Sequence, residues 1–415
     1  MSAALNALAS LALGALLFAL ALRAWQELLG KPLKRPLCLA APALGGGAER
    51  KPLGETVAVF FASLAVLWLL CFVGYLLQAK GNGSLRGFFS LWISRFTEAG
   101  DAPHYLYLAE HGYAYEGERV NLIVFYPLYP LLTGLLGRLL GGSFVCAAML
   151  ISQLSFGISA VLLYRMARFE GEHALSSLAA YLLYPFAFFA LGVFTEGLFL
   201  ALSLATLWAL SRKRFAQAGI LGFFTILCRV QGIALIPVYL YAAWRAVRRE
   251  GWRASMLCGL LIPLGWGLYL LLNRHYCGDF FAFRYYESIR PWWQETQWLG
   301  KTIAQQLEMA RQHPFLGKII YIPQLILYFL AAGLLMAGLC RGMRTEYAVF
   351  GAAYLGMCYL ASWLISGGRY MLGCAGVYFA LAKLSRRWVR IAVLLAEALA
   401  ALWFYANFMN GQSIM

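Results

Sequence analysis

Apolar runs long enough to cross a bilayer recur along almost the whole chain, and the cations collect in the short segments between them. Inside lipid every backbone N–H and C=O must be satisfied within the protein, so a chain built of such runs is expected to be all-α and polytopic. Composition points the same way: of 415 residues 62% are hydrophobic and 13% charged, with a mean hydropathy of +0.68. A spanning helix needs roughly 20 apolar residues, fewer where the bilayer thins. On that criterion twelve spans are expected, near residues 3–24, 57–79, 143–166, 175–193, 197–211, 215–230, 232–247, 255–274, 318–340, 346–366, 369–385 and 389–408. The run 3–22 has the length of a signal peptide, but no basic residue precedes it, which favours a first membrane helix.

The formal net charge of +16 would suit a nucleic-acid binder, yet these cations punctuate apolar runs instead of forming a polar basic face, so no nucleic acid is expected as partner. They act as topology signals, because cytoplasmic loops are enriched in Lys and Arg. Six clusters stand out: Arg23 with Lys31, Lys34, Arg35, Arg50 and Lys51; Arg165 and Arg168; Arg212, Lys213 and Arg214; Arg245, Arg248, Arg249 and Arg253; Arg341 and Arg344; and Lys383, Arg386, Arg387 and Arg390. All six share one side only if the apolar run 122–140 does not cross. Residues 80–142 are therefore expected to form one large outside loop, whose last third dips into the interface as an amphipathic or re-entrant helix broken at Pro127 and Pro130.

Three regions follow: 1–56, an N-terminal membrane helix and basic cytoplasmic loop; 57–254, the module that includes the outside loop 80–142; and 255–415, the C-terminal helices with a second outside loop, 275–317. The second loop is aromatic-rich, as an interfacial belt would be, and Arg284 or Arg290 within it could touch a lipid phosphate. The nine cysteines show no CxxC or metal-ligand spacing, and neither a disulfide framework nor a metal is expected.

Polar residues at the outer ends of the spans converge on one membrane face. Asp101 can serve there as general base for a hydroxyl acceptor, or merely cap the helix that starts with Ala-Pro-His-Tyr and stops at Gly112. On that helix Tyr105, Leu108 and Ala109 share a face, whereas His104 points elsewhere, as a site residue or a solvated imidazole. Glu196 lies between two strongly apolar runs, where an ionised carboxylate is costly; the bland reading is a first-turn Glu behind a Thr195 cap. Arg229 and Arg369 are membrane-edge cations able to grip a phosphate with two hydrogen bonds, or to snorkel. Arg369 and Tyr370 sit in an SGGRY turn whose glycines permit close approach.

Four stretches resemble the PIG-V-type mannosyltransferases, the GPI mannosyltransferase II relatives and their prokaryotic homologues in the GT-C superfamily. They are GDAPHYLYLAEHGY at 100–113, FYPLYPLL at 125–132, YPFAFFALGVFTEGLFLALSL at 184–204 and CRVQGIALIP at 228–237, with GGRYMLG at 367–373 as a weaker fifth. Gly100, Gly197 and Gly373 stand where the family usually has Trp, Ser and Pro. The resemblance implies a GT-C fold and an inverting, metal-free hexosyltransferase without cofactor. Its donor would be a polyprenyl-phosphate sugar of dolichyl or undecaprenyl type, most often mannose, and its acceptor a lipid or glycan hydroxyl on the extracytoplasmic side. Carried over, Asp101 is the catalytic base, and His104, Tyr105, Glu196, Arg229, Arg369 and Tyr370 bind substrate. The brevity of the loops favours a bacterial plasma membrane over the endoplasmic reticulum. No GxGxxG fingerprint for a sugar nucleotide occurs. A secondary transporter or lipid flippase is the competing class, and a catalytically dead relative a third.

Overall fold

Leu and Ala dominate the apolar runs, and both are strong helix formers, so in lipid the runs have no alternative to helix. The computed structural model describes residues 2–29, 53–171, 173–362, 364–412 and 414. Lys31, Lys34, Arg35, Arg50, Lys51 and the stretch 40–47 of the expected cytoplasmic loop lie outside them. Among the described residues the chain is helical, and β structure is confined to one isolated bridge between Thr296 and Ala361.

In chain order the helices are α1 (Ser2–Leu29), α2 (Leu53–Gln78), α3 (Leu85–Glu98), α4 (Ala102–His111), α5 (Leu128–Leu139), α6 (Phe144–Phe169), α7 (Ala174–Leu182), α8 (Glu196–Ser211), α9 (Phe215–Cys228) and α10 (Leu235–Glu250). They continue as α11 (Leu261–Cys277), α12 (Ala282–Ser288), α13 (Leu299–Gln312), α14 (Pro314–Leu316), α15 (Ile322–Cys340), α16 (Thr345–Cys358), α17 (Gly367–Tyr370), α18 (Ala375–Ala382) and α19 (Arg387–Met409). Short 3-10 turns precede α5, α8, α10, α11 and α18, and a π-helical stretch, Gly317–Tyr321, joins α14 to α15.

Among the described residues seven helices are long and apolar enough to cross a membrane: Ala3–Leu28, Leu53–Gln78, Phe144–Phe169, Val230–Glu250, Ala254–Cys277, Pro314–Cys340 and Arg387–Met409. This is a multi-pass membrane architecture. The other five expected spans are helical but shorter or interrupted. α8 and α9 are apolar helices of 16 and 14 residues, about 24 and 21 Å at 1.5 Å per residue. α16 also has only 14 residues. The runs 175–193 and 369–385 each break. The first halts at Leu182, three residues before Pro185, and the second is cut at Gly373 between α17 and α18.

The run 122–140 is likewise not one straight span. The turn Glu118–Val124 and α5 meet at 113°, the geometry of either a broken span or a re-entrant segment. Pro127 stands at the bend, but Pro130 does not break the helix: it is the third residue of α5, in the first turn, where its missing N–H has no intrahelical partner to lose.

The core is centred on α8, which packs on α6, α9, α10 and α18 and is buried on almost every side. Without a strong hydrophobic drive between helices in lipid, such contact needs small residues. Gly197 meets the need, since a Cβ there would lie 2.9 Å from the Ser152 carbonyl oxygen on α6.

A buried ionic network ties α1, α6, α10 and α16 together at the end of the bundle away from Asp101. Glu27 receives Arg23 at 3.0 Å and the Thr345 hydroxyl at 2.6 Å. Arg245 bridges Glu27 and Glu346, at 3.6 and 2.5 Å. Arg344 joins Glu346 at 3.4 Å to Glu170 at 2.9 Å. Thus Arg23, Arg245 and Arg344, which mark topology in the sequence, are also paired inside the protein.

Candidate active site

The ends of α4, α8 and α9 and the short α17 bring Asp101, Glu196, Arg229 and Arg369 into one cluster. Gly100 starts it. Its φ of 56° lies in the left-handed region, so the chain turns sharply between α3 and α4 at a position where a tryptophan would be strained. Asp101 follows at the cap position of α4, yet its side chain makes no capping bond. The carboxylate instead accepts a hydrogen bond from Arg369 Nη2 at 2.5 Å. The capping alternative is thereby decided: the helix start is served by Pro103 in its first turn, and the side chain is turned to the site.

Arg369 is 3% exposed and shared between two carboxylates, Asp101 and, through Nε at 3.2 Å, Glu196. Glu196 is 2% exposed and also takes Arg229 Nη1 at 2.6 Å. Neither arginine snorkels. Thr195 was read only as a cap; it makes no capping bond, and its hydroxyl accepts from Arg229 at 2.9 Å. A Thr before a first-turn Glu looks like capping in any sequence, and only the contact with Arg229 separates the two roles.

Tyr370 lies between the guanidiniums, its ring centre 4.9 Å from Arg229 and 5.4 Å from Arg369. Its backbone is pinned, because the Tyr354 hydroxyl donates to the Tyr370 carbonyl at 2.7 Å. The rest of the SGGRY turn is fixed similarly: Gly367 N–H donates to Gln324 Oε1 and the Tyr184 hydroxyl to the Gly368 carbonyl, both at 2.7 Å. A Cβ on Gly368 would fall 2.4 Å from the Phe186 ring, so the turn can seat there only with glycine.

Tyr105 is buried under this cluster against Phe125 and Tyr129. As the spacing predicts, it shares the buried face of α4 with Leu108 and Ala109. His104 is not the solvated imidazole of the bland reading. Its ring stacks near Phe125 and Trp292, 5.4 and 6.1 Å between centres, and Nδ1 is buried without a protein partner. Burial lowers its pKa, against the pull of Asp101, so the neutral imidazole prevails at pH 7. Arg284 and Arg290 of the second outside loop are exposed and take no part. All seven residues named from the sequence therefore lie in or beside one site, in which Asp101, at 25%, is the most exposed of the four charges. Among the described residues no group of three or more His, Cys, Asp or Glu could hold a metal ion.

The loop carrying Trp292 holds a further titrating group. Burial pushes the Glu287 carboxyl up to about 7 from 4.5, against the pull of Arg284. The folded protein then holds a proton that the unfolded chain has lost, so stability falls as pH rises from about 4.5 to about 7. Glu287→Gln is expected to melt like the wild type near pH 4.5 and to be more stable above pH 7 by an amount of order 1–3 kcal/mol. Thermal melts across that range check it, and parallel curves would show that Glu287 ionises freely.

No known protein-family model matches the sequence, and no curated protein matches it. Two solved structures are similar to the chain. One is the Archaeoglobus fulgidus oligosaccharyltransferase tethered with an acceptor peptide containing the NVT sequon: 12% identity, TM-score 0.41, covering 85% of this chain and 55% of that one. The other is the archaeal oligosaccharyltransferase AglB from Archaeoglobus fulgidus in complex with an inhibitory peptide and a dolichol-phosphate: 12% identity, TM-score 0.42, covering 85% and 56%. The chain spans little more than half the length of either.

Proposed function

We propose that the chain is a GT-C-type membrane glycosyltransferase that moves a sugar, most often mannose, from a polyprenyl-phosphate donor to a lipid or glycan hydroxyl on the extracytoplasmic face. The observation that carries this reading is the alternating array Asp101, Arg369, Glu196, Arg229, gathered from four separate motifs at the ends of apolar helices. A carboxylate that is partly exposed at a membrane edge suits a hydroxyl acceptor, and guanidiniums suit a lipid phosphate. The motifs that resemble the PIG-V family are the ones whose side chains meet here. A transporter would be expected to hold its polar groups near mid-helix. Asp101 and Glu196 instead flank helix starts, and Arg229 follows the end of α9.

In this reading the acceptor oxygen attacks the anomeric carbon as the carbon–oxygen bond to phosphate breaks with its electron pair. The proton goes to Asp101, and the charge that develops on the phosphate is met by the guanidiniums, a term that commonly dominates catalysis. Glu196 and Thr195 hold Arg229, and Tyr370 fixes the spacing of the two arginines. Protein in nanodiscs, given polyprenyl-phosphomannose with a radiolabelled sugar and a panel of lipid and glycan acceptors, is expected to transfer label from the lipid donor and none from a sugar nucleotide. Transfer from the nucleotide alone would overturn the proposal.

A further inference from the structure

Asp101 is paired with Arg369, which is buried and also lies against Glu196. Two further features bear on this. Arg369 Nη1 and Nε are buried without a hydrogen-bond partner in the protein, and so is Glu196 Oε2. The guanidinium thus hydrogen-bonds Asp101 through Nη2 and meets Glu196 only as an ion pair at 3.2 Å, with two of its donor groups unused.

The four charges of the array sum to zero. A phosphodiester donor brings one negative charge, and its leaving phosphate carries close to two at neutral pH. During transfer the acceptor proton neutralises Asp101 in the same step in which the phosphate gains its second charge, so one negative charge moves from the carboxylate to the phosphate. We infer that Arg369 is a shared counterion that follows this charge: it holds Asp101 at rest and passes to the leaving phosphate as Asp101 takes the proton. The inference rests on the lipid-phosphate donor proposed above. Resting pairing then keeps a charged carboxylate at the membrane edge, and its release is coupled to bond cleavage.

The other groups facing Asp101 cannot take the role. Arg229 is held by Glu196 and Thr195. Tyr370 from α17, and His104 and Tyr105 from its own helix, are neutral near pH 7, and Glu196 is an anion already bound to both arginines.

The test is binding, without turnover. Asn has the shape of a protonated aspartate and, like it, no charge, so Asp101→Asn should remove the charge that competes with a phosphate for Arg369. Undecaprenyl monophosphate is titrated against wild type, Asp101→Asn, Arg369→Gln and the double variant in nanodiscs. Asp101→Asn is expected to bind it roughly tenfold or more tightly than wild type, and the gain should vanish when Arg369 is Gln. Equal affinities of wild type and Asp101→Asn, or a gain that survives without Arg369, would overturn the shared counterion while leaving the donor reading standing. If the lipid phosphate binds none of the four, both fall. Should Asp101→Asn not fold, Asp101→Ser is titrated in its place with the same lipid, and an affinity equal to that of wild type would overturn the inference.

Discussion

Asp101→Asn is expected to lose about 10²–10⁴-fold in kcat for sugar transfer from a polyprenyl-phosphate donor, while the protein keeps its fold. A base that accepts the acceptor proton in the transition state is worth roughly 3–5 kcal/mol, and Asn cannot accept that proton. The amide still offers its oxygen to Arg369, and Arg369 keeps Glu196, so the buried guanidinium is not orphaned. Single-turnover transfer at saturating donor, with a thermal melt of the same sample, separates chemistry from folding. Turnover near the wild-type rate would remove Asp101 as base.

Glu346→Ala is expected to give the largest loss of stability, about 3–5 kcal/mol, the cost of stranding a buried charge. Glu346 is 2% exposed and takes both Arg245 and Arg344, so its removal leaves two guanidiniums with one carboxylate fewer. Arg245 retains Glu27, and Arg344 retains Glu170. Unfolding in detergent by denaturant reads the loss. An unmoved midpoint for Glu346→Ala would mean that the network is solvated and contributes nothing.

The sequence was most legible where hydropathy and cation placement act together. Counting clusters of Lys and Arg singled out the run 122–140 as unlike an ordinary span, and the structure bends it by 113°, though the bend fits a broken span as well as a re-entrant segment. The site residues were legible as motifs, each with a bland alternative that sequence spacing could not remove. What turns the Asp101 side chain away from capping is a guanidinium 268 positions away, and no local pattern encodes such a pairing. Thr195 was missed for the same reason. Glu27, Glu170 and Glu346 were passed over because each lies beside cations, where a carboxylate reads as solvated. At α8, α9 and α16 the helices are shorter than a usual span, and an apolar run buried within protein looks in sequence the same as one that faces lipid.

One contact reaches beyond the groups that touch substrate. Residues 295–297 are stitched to residues 360–362 by Gln297 N–H to the Leu360 carbonyl, Ser362 N–H to the Glu295 carbonyl and Glu295 N–H to the Ser362 hydroxyl. The first strip follows Trp292, which roofs His104, and the second leads straight into the turn that carries Arg369. The loop that carries Trp292 and the turn that carries Arg369 are therefore joined by backbone, so a substitution in residues 295–297 can shift the position of Arg369 without touching its ion pairs.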